Sequence, residues 1–309
     1  MEFKHISVLK EESISGLNIK PDGIYVDCTT GGGGHSLEIA KKLTTGRLIC
    51  FDKDTDALTF AKTRLSEYLN KITFINTNFA NLDTALEELE IAGVDGILAD
   101  LGVSSYQIDT AERGFSFMRN ARLDMRMDKS QKLDAYQVVN AYKEEELAKI
   151  LFAYGEEKNA RQIARKICKI REDKPIETTF ELRDIVVSSY PPKIQNKPSL
   201  CNKAFQAIRI EVNNELNDLP ISVEKMLQKL NKNGRLCIIT FHPLEDRIVK
   251  QAFKLHATEC ICPPRIPKCV CNHKADIKLI TKHPIAPQDN ELLANSRAGS
   301  AKLRIAEKL

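Results

Sequence analysis

Residues 24–36 have the sequence Ile24-Tyr25-Val26-Asp27-Cys28-Thr29-Thr30-Gly31-Gly32-Gly33-Gly34-His35-Ser36. A short apolar run typical of a β-strand leads into four consecutive glycines, and the apolar spacing of residues 37–43 then predicts a helix. Because glycine has no side chain, a ligand can approach the backbone closely at such a junction of strand, turn and helix. The stretch therefore predicts a nucleotide-binding site at the end of the first strand.

A second strand-like run, residues 47–51, ends on Asp52. An acidic side chain at this strand tip can accept hydrogen bonds from both hydroxyls of an adenosine ribose. A glycine turn that only shortens the connection is the alternative, and Asp52 argues against it. His35 and Ser36 at the helix start suit the carboxylate and amine of a methionine moiety at least as well as they suit a pyrophosphate. S-adenosylmethionine and a dinucleotide both remain open at this point.

The composition is that of an ordinary globular protein: 309 residues, of which 42% are hydrophobic and 28% charged. This length can bury a substantial core in one large domain or two. We find no apolar run of membrane-spanning length and no secretion-signal pattern, so we expect a cytoplasmic protein without a membrane partner. The net charge of +4 excludes a uniformly basic protein but allows a local basic face for nucleic acid.

Strand and helix patterns alternate along the first hundred residues, with further strand-like runs at 72–75 and 94–101. Such alternation predicts a parallel sheet with helices on both faces. The following hundred residues are mostly helical in pattern, and strand patterns return at 235–241, 277–280 and 302–306.

Seven strands favour a methyltransferase sheet over a six-strand dehydrogenase sheet. The predicted fold is therefore α/β, a Rossmann-like class I methyltransferase sheet with an inserted, mostly helical domain. We expect residues 1–105 and 201–309 to form the cofactor-binding domain, and residues 106–200 to form a helical insertion that recognises the substrate.

Asp100 ends the fourth strand pattern, at the edge of a parallel sheet where ligands bind. By accepting a hydrogen bond from a substrate amine, it would raise the electron density on nitrogen during attack on a methyl group. Asp100 is therefore the catalytic candidate. The alternative is an aspartate that only forms a turn.

Three other segments allow a functional and a structural interpretation. Arginines interleaved with aromatic residues over 113–128 fit either single-stranded nucleic acid or a packed loop. Arg161, Arg165 and Lys169 share one face of a predicted helix, which either contacts RNA or is merely solvated. The segment 241–247 either contacts the substrate or caps a helix.

Four of the nine cysteines cluster in sequence: Cys260, Cys262, Cys269 and Cys271. Four thiolates could bind a zinc ion. However, CxC pairs are less usual than CxxC pairs, and three prolines lie between the two pairs. The sequence leaves this zinc undecided, and we include no metal in the predicted site.

The motifs, taken in order, resemble the RsmH (MraW) family of bacterial 16S rRNA cytosine-N4 methyltransferases. The matching segments are His5-x-x-Val8-Leu9, Asp27-x-Thr29-x-Gly31-x-Gly33-Gly34-His35-Ser36, Asp100-Leu101-Gly102-Val103-Ser104-Ser105, Glu112-Arg113-Gly114-Phe115-Ser116-Phe117, Leu123-Asp124-Met125-Arg126-Met127-Asp128, Tyr154-Gly155-Glu156-Glu157, Phe205-Gln206-Ala207-Ile208-Arg209-Ile210 and Leu244-Glu245-Asp246-Arg247-Ile248-Val249-Lys250.

The resemblance implies S-adenosylmethionine-dependent methylation of N4 of a cytidine in the decoding region of 16S rRNA, with the small ribosomal subunit as partner. It implies cofactor contacts from Gly33, Gly34, His35, Asp52, Phe79, Asp100 and Gln107. Phe79 would pack on adenine, and the insertion and the segment after Phe241 would meet the RNA. An NAD-dependent oxidoreductase and a non-catalytic RNA-binding factor with a retained cofactor pocket are the alternatives. The oligomeric state stays open, with a homodimer as one option.

Three places depart from the family pattern. Pro243 stands where the family has Ser, and Asn202-Lys203-Ala204 lacks the usual Arg. Residues 295–301 read Asn-Ser-Arg-Ala-Gly-Ser-Ala instead of Asn-Pro-Arg-Ser-Arg-Ser-Ala. Loss of a hydroxyl and two guanidinium groups weakens the expected polar contacts to the acceptor, whereas the cofactor motifs are intact.

Overall fold

The computed structural model describes residues 7–263 and 268–309, so His5 of the family pattern lies outside the described residues. The chain divides into two compact units. The sheet unit comprises Met1–Gly102 and Leu216–Leu309, and the helical unit comprises Val103–Glu215.

The sheet unit is organised around one sheet of seven strands among its described residues. The strands are β1 Ile24–Asp27, β2 Arg47–Asp52, β3 Ile72–Asn76, β4 Val94–Asp100, β5 Leu230–Thr240, β6 Ile277–Leu279 and β7 Lys302–Lys308. Their order is β3-β2-β1-β4-β5-β7-β6, in which β1 to β5 pair in parallel and β7 is antiparallel to both β5 and β6. The strand order reverses between β1 and β4, and ligands bind outside the carboxyl ends of the strands at such a point.

Helices connect these strands and form the second unit. In chain order they are α1 Lys10–Gly16, α2 Gly34–Lys42, α3 Thr55–Arg64, α4 Leu82–Glu88, α5 Ser105–Asp109, α6 Ala135–Ala141, α7 Glu144–Gly155, α8 Ala160–Asp173, α9 Thr179–Val187, α10 Asn202–Asn213, α11 Glu215–Gln228, α12 Pro243–His256 and α13 Asp289–Ala294. None of these helices combines the length and the apolar character that crossing a bilayer requires.

Successive residues of the central strands face opposite layers, as the two-residue period of a strand requires. Val26 and Ile49 pack in a cluster that draws on α4, α11 and α12. Their neighbours Tyr25 and Leu48 pack in a second cluster with residues of α1 and α2. The sheet is therefore covered on both faces, so a ligand can reach it at the ends of the strands.

The helical unit has its own core, to which α6 to α10 all contribute. Residues of α10 such as Phe205 and Ile208 are buried within it. This packing places the second boundary after Glu215 rather than after residue 200 as expected from the sequence. The amphipathic pattern of α10 did not show which of the two cores it joins.

The arginine-rich segment 113–128 is packed within the helical unit, against its core. Phe117 meets Phe205 edge to face with ring centroids 5.3 Å apart. Arg113 is only 4% exposed and donates to the carbonyl oxygens of Arg126 and Met127 at 2.9 and 3.0 Å. These contacts favour the structural interpretation, a packed loop, for most of this segment.

The helical unit offers a matched test of its core on α8. Ile167 is fully buried whereas Ile170 is 37% exposed. We expect Ile167→Ala to lower the free energy of unfolding by about 2–5 kcal/mol, because it leaves a cavity. Ile170→Ala should change it by less than about 1 kcal/mol. Urea unfolding followed by circular dichroism measures both, and equal losses would contradict the packing described here.

Candidate functional site

Acidic residues end three adjacent parallel strands at one edge of the sheet: Asp27 on β1, Asp52 on β2 and Asp100 on β4. The turn between β1 and α2 lies at the same edge, because α2 begins at Gly34. The sequence predicted Asp52 and Asp100 at this edge, and the structure adds Asp27 between them at the reversal of strand order.

The glycine turn needs residues without side chains. Gly31 and Gly33 have φ angles of 49° and 72°, the left-handed region that favours glycine. A Cβ atom on Gly34 would overlap the hydroxyl of Ser7. Gly33 occupies the N-cap of α2, and among the described residues no side chain caps this end. The first N–H groups of α2 are therefore suited to bind a carboxylate or another anion.

Asp52 fastens this turn to the end of β2. Its Oδ2 accepts from the N–H of Gly31 at 2.7 Å, and its Oδ1 accepts from the N–H of Asp54 at 2.9 Å. Burial raises the pKa of Asp52 to about 6. The sequence predicted a ribose-binding role but not this second, structural one, since no local pattern shows which amides a strand-tip carboxylate will meet.

Asp27 organises the start of α2 from the other side. Its Oδ2 accepts from the Ser36 hydroxyl at 2.6 Å, and its Oδ1 accepts from the N–H of Thr29 at 3.1 Å. Burial raises the pKa of Asp27 to about 6. Ser36 is fully buried, so the idea that its hydroxyl meets a methionine moiety is wrong. Its partner is Asp27.

His35 lies between the N-terminal segment and Asp100. Its Nε2 is 3.1 Å from the carbonyl oxygen of Val8, and its Nδ1 is 3.7 Å from Oδ2 of Asp100. Because a carbonyl oxygen can only accept, Nε2 carries a proton. The ring is 5% exposed, so it forms one wall beside the Asp100 carboxylate.

Asp100 is held by its backbone and left open at its side chain. Its N–H donates to Oγ1 of Thr29 at 2.6 Å, which joins the end of β4 to the loop after β1. Oδ1 is buried and has no hydrogen-bond partner among the described residues, although the side chain as a whole is 22% exposed. Burial, together with the charges of Asp27 and Glu245, raises the pKa of Asp100 well above its usual range. A buried acceptor without a donor is costly, so this oxygen is suited to a ligand.

The remaining predicted cofactor residues lie in different units. Phe79 begins a 3₁₀ turn after β3 and is half-buried against the core of the sheet unit. Gln107 belongs to the helical unit, where it is buried and caps α5. Its Oε1 accepts from the N–H of Ser104 at 3.0 Å, and its own N–H donates to Ser104 Oγ at 3.2 Å. The cofactor contacts of both residues stay predictions.

The segment after β5 caps α12. Buried Glu245 accepts from the N–H of Phe241 at 2.9 Å, and His242 completes a capping box with it. Asp246 pairs with Arg304 at 2.7 Å. The contacts of Glu245 and His242 favour the helix-cap interpretation of this segment, and Asp246 is engaged by an ion pair. Pro243, which departs from the family pattern, occupies the first turn of α12, where proline fits well.

A sequence model described as the MraW methylase family matches residues 2–309. The chain belongs to this family. It is 55% identical to the ribosomal RNA small subunit methyltransferase H of Finegoldia magna, over 100% of both chains. Identity to the proteins of the same name from Clostridium botulinum (strain Kyoto) and Clostridioides difficile (strain 630) is 57% and 52%, again over 100% of both chains.

Membership of the MraW methylase family confirms the relationship that the motifs predicted. It also confirms the predicted enzyme class, an S-adenosylmethionine-dependent methyltransferase with a Rossmann-like fold. The dehydrogenase alternative does not fit a methylase family.

The raised pKa of Asp27 makes stability depend on pH. The folded protein binds this proton more tightly than the unfolded chain, in which an aspartate has a pKa near 3.9. Wild type should therefore lose stability relative to Asp27→Asn as the pH rises from about 4 to about 6, by up to about 3 kcal/mol. Urea unfolding at pH 4, 5, 6 and 7 measures the free energy of unfolding of both proteins. If the two free energies change in parallel with pH, the raised pKa of Asp27 is contradicted.

Proposed function

We propose that this chain transfers the methyl group of S-adenosylmethionine to N4 of a cytidine in the decoding region of 16S rRNA. The observation that carries the proposal is the buried Oδ1 of Asp100 at the carboxyl end of β4, which has no hydrogen-bond partner within residues 7–263 and 268–309. Family membership supports methyl transfer. The name of the full-length relatives supports RNA of the small ribosomal subunit as the acceptor.

The charges at the sheet edge favour this cofactor. S-adenosylmethionine carries a sulfonium and an ammonium cation, which the acidic groups Asp27, Asp52 and Asp100 attract. The same groups would repel a pyrophosphate. The methionine carboxylate would meet the first amides of α2, where the helix dipole favours an anion.

Asp52 can hold the ribose as well as the turn. Each of its oxygens accepts one backbone N–H, and an ionised carboxylate offers about four acceptor sites. Two acceptor sites therefore remain for the ribose hydroxyls. We propose that Phe79 packs on the adenine and that Gln107 also contacts the cofactor.

Asp100 would act on the acceptor amine. The lone pair of an exocyclic amine is shared with the ring, so the amine is a weak nucleophile. A bound sulfonium cation would favour the ionised carboxylate of Asp100, and its Oδ1, which has no partner among the described residues, could then accept a hydrogen bond from N4. When bound, S-adenosylmethionine would supply the methyl group to N4 as its carbon–sulfur bond breaks, with S-adenosylhomocysteine as the leaving product. Asp100 or water would accept the proton that N4 loses.

The RNA backbone would meet the basic face of α8. Arg161, Arg165 and Lys169 are all exposed there, whereas Ile163 and Ile167 on the opposite face are buried. Arg126 of segment 113–128 is less suited to phosphate, since it already bonds to Asp124 at 2.7 and 2.9 Å. Arg165 of α8 lies 3.6 Å from the Glu144 carboxylate, but its side chain is 78% exposed. We therefore propose that α8 supplies phosphate contacts of the helical unit.

Asp52→Asn tests the cofactor site. An asparagine turns an NH₂ group toward one of the two backbone amides, so both the turn and the ribose contact weaken. We expect the Kd for S-adenosylmethionine to rise by about 10-fold or more. Calorimetry measures this, with Asp22→Asn as the control because Asp22 is exposed before β1. Equal Kd values for both variants would contradict the assignment.

Asp100→Asn tests the chemical step. We expect the rate of methyl transfer to fall by about 100-fold or more, while the Kd for the cofactor changes by less than about 10-fold. Transfer from labelled S-adenosylmethionine to small subunits is followed, and N4-methylcytidine is identified by mass spectrometry. An unchanged rate of methyl transfer in Asp100→Asn would show that Asp100 only forms a turn and has no part in the chemical step. A wild-type chain that binds the cofactor but forms no N4-methylcytidine would favour a non-catalytic RNA-binding factor.

A further inference from the structure

The cysteine cluster lies in the connection between α12 and β6, away from the strand ends described above. It consists of Cys260, Cys262, Cys269 and Cys271, whose Sγ atoms all lie within 4.8 Å of one another. Among residues 7–263 and 268–309, this is the one group of three or more metal-ligating side chains found so close together. The two CxC pairs, separate in sequence, meet in space.

The sulfur–sulfur distances fit four ligands around one ion. Cys269 Sγ lies 3.4 Å from Cys260 Sγ, 3.9 Å from Cys262 Sγ and 3.5 Å from Cys271 Sγ. A tetrahedral zinc with Zn–S bonds of about 2.3 Å separates its sulfurs by about 3.8 Å. A disulfide would need about 2.05 Å, and all four cysteines are free thiols.

The backbone around the cluster favours thiolates. The N–H of Val270 donates to Cys262 Sγ at 3.4 Å. The N–H groups of His273 and Ile261 donate hydrogen bonds to the Cys271 sulfur, and such donors favour a thiolate. Metal binding requires deprotonated thiols, so these amides prepare part of the ligand set.

Apolar burial does not hold this connection. Ile261 and Val270 are 51% and 70% exposed, and no described residue from 254 to 276 is buried. Four thiols that converge in a segment without a hydrophobic core need another source of cohesion. A structural metal supplies it in small, poorly packed segments.

We propose that Cys260, Cys262, Cys269 and Cys271 bind one structural Zn²⁺ ion through four thiolates. The ion closes the connection between α12 and β6. The C-terminal end of the connection is fixed to the last turn of α12, where the connection begins. His273 Nε2 lies 3.0 Å from the carbonyl oxygen of Leu255, and the N–H of Asp276 donates to the carbonyl oxygen of His256 at 3.0 Å. Zinc is favoured among metal ions because it binds soft thiolate ligands and prefers four of them in tetrahedral geometry.

Metal content of the full chain, purified under reducing conditions without added zinc or chelator, tests the proposal. We expect about one zinc per chain by mass spectrometry of the metal, and less than about one tenth of that in Cys269→Ser/Cys271→Ser. Cys168→Ser is the matched control, because Cys168 is a lone, half-buried thiol on α8. It should keep the full zinc content.

Cobalt exchanged into the wild-type chain gives a second readout that needs no variant. Tetrahedral thiolate ligation produces visible ligand-field bands, and zinc should displace them at one equivalent. A wild-type chain with reduced thiols that holds no zinc and takes up no cobalt would overturn the proposal. Iron in place of zinc, or full zinc content in the double variant, would overturn it as well.

Discussion

The hydrogen bond from the N–H of Gly31 to the carboxylate of Asp52 positions the turn at which we propose that the cofactor binds. It fastens the glycine turn to the tip of β2 and so places the first turn of α2. That turn of α2 carries His35, which lies beside Asp100, and Ser36, which bonds to Asp27. Moving the turn would displace each of these contacts.

The arrangement concentrates negative charge in a partly buried place. Asp27 and Asp52 have pKa values raised to about 6, and burial and acidic neighbours raise the pKa of Asp100 well above its usual range. Such a group of acids is unfavourable without a partner, and a cationic ligand relieves it. The ligand-free group of acids is therefore best suited to a ligand that carries positive charge, and the burial of these carboxylates, more than their mutual repulsion, lowers the folding stability of the sheet unit.

Other sequence features that suggested ligand binding have structural partners instead. Arg113 bonds to two carbonyl oxygens, and Glu245 closes a capping box at the start of α12. Local sequence shows a charged or aromatic side chain but not the distant backbone group that satisfies it. This is why both interpretations of segments 113–128 and 241–247 were open, and why α10 was assigned to the wrong unit.

Periodicity and local chemistry were sufficient to predict the alternating strands, the glycine turn and the acidic ends of β2 and β4, and the resemblance of the motifs was sufficient to predict the family. These features depend on neighbours a few residues away or on the rule that parallel strands end at one edge. The second role of Asp52, the open oxygen of Asp100 and the meeting of two CxC pairs arise from contacts between segments far apart in the chain. Only the tertiary structure decides them, because a side chain's partner is set by packing rather than by its own sequence position. The glycine turn was thus visible from the sequence, whereas the interaction that holds it in place was not.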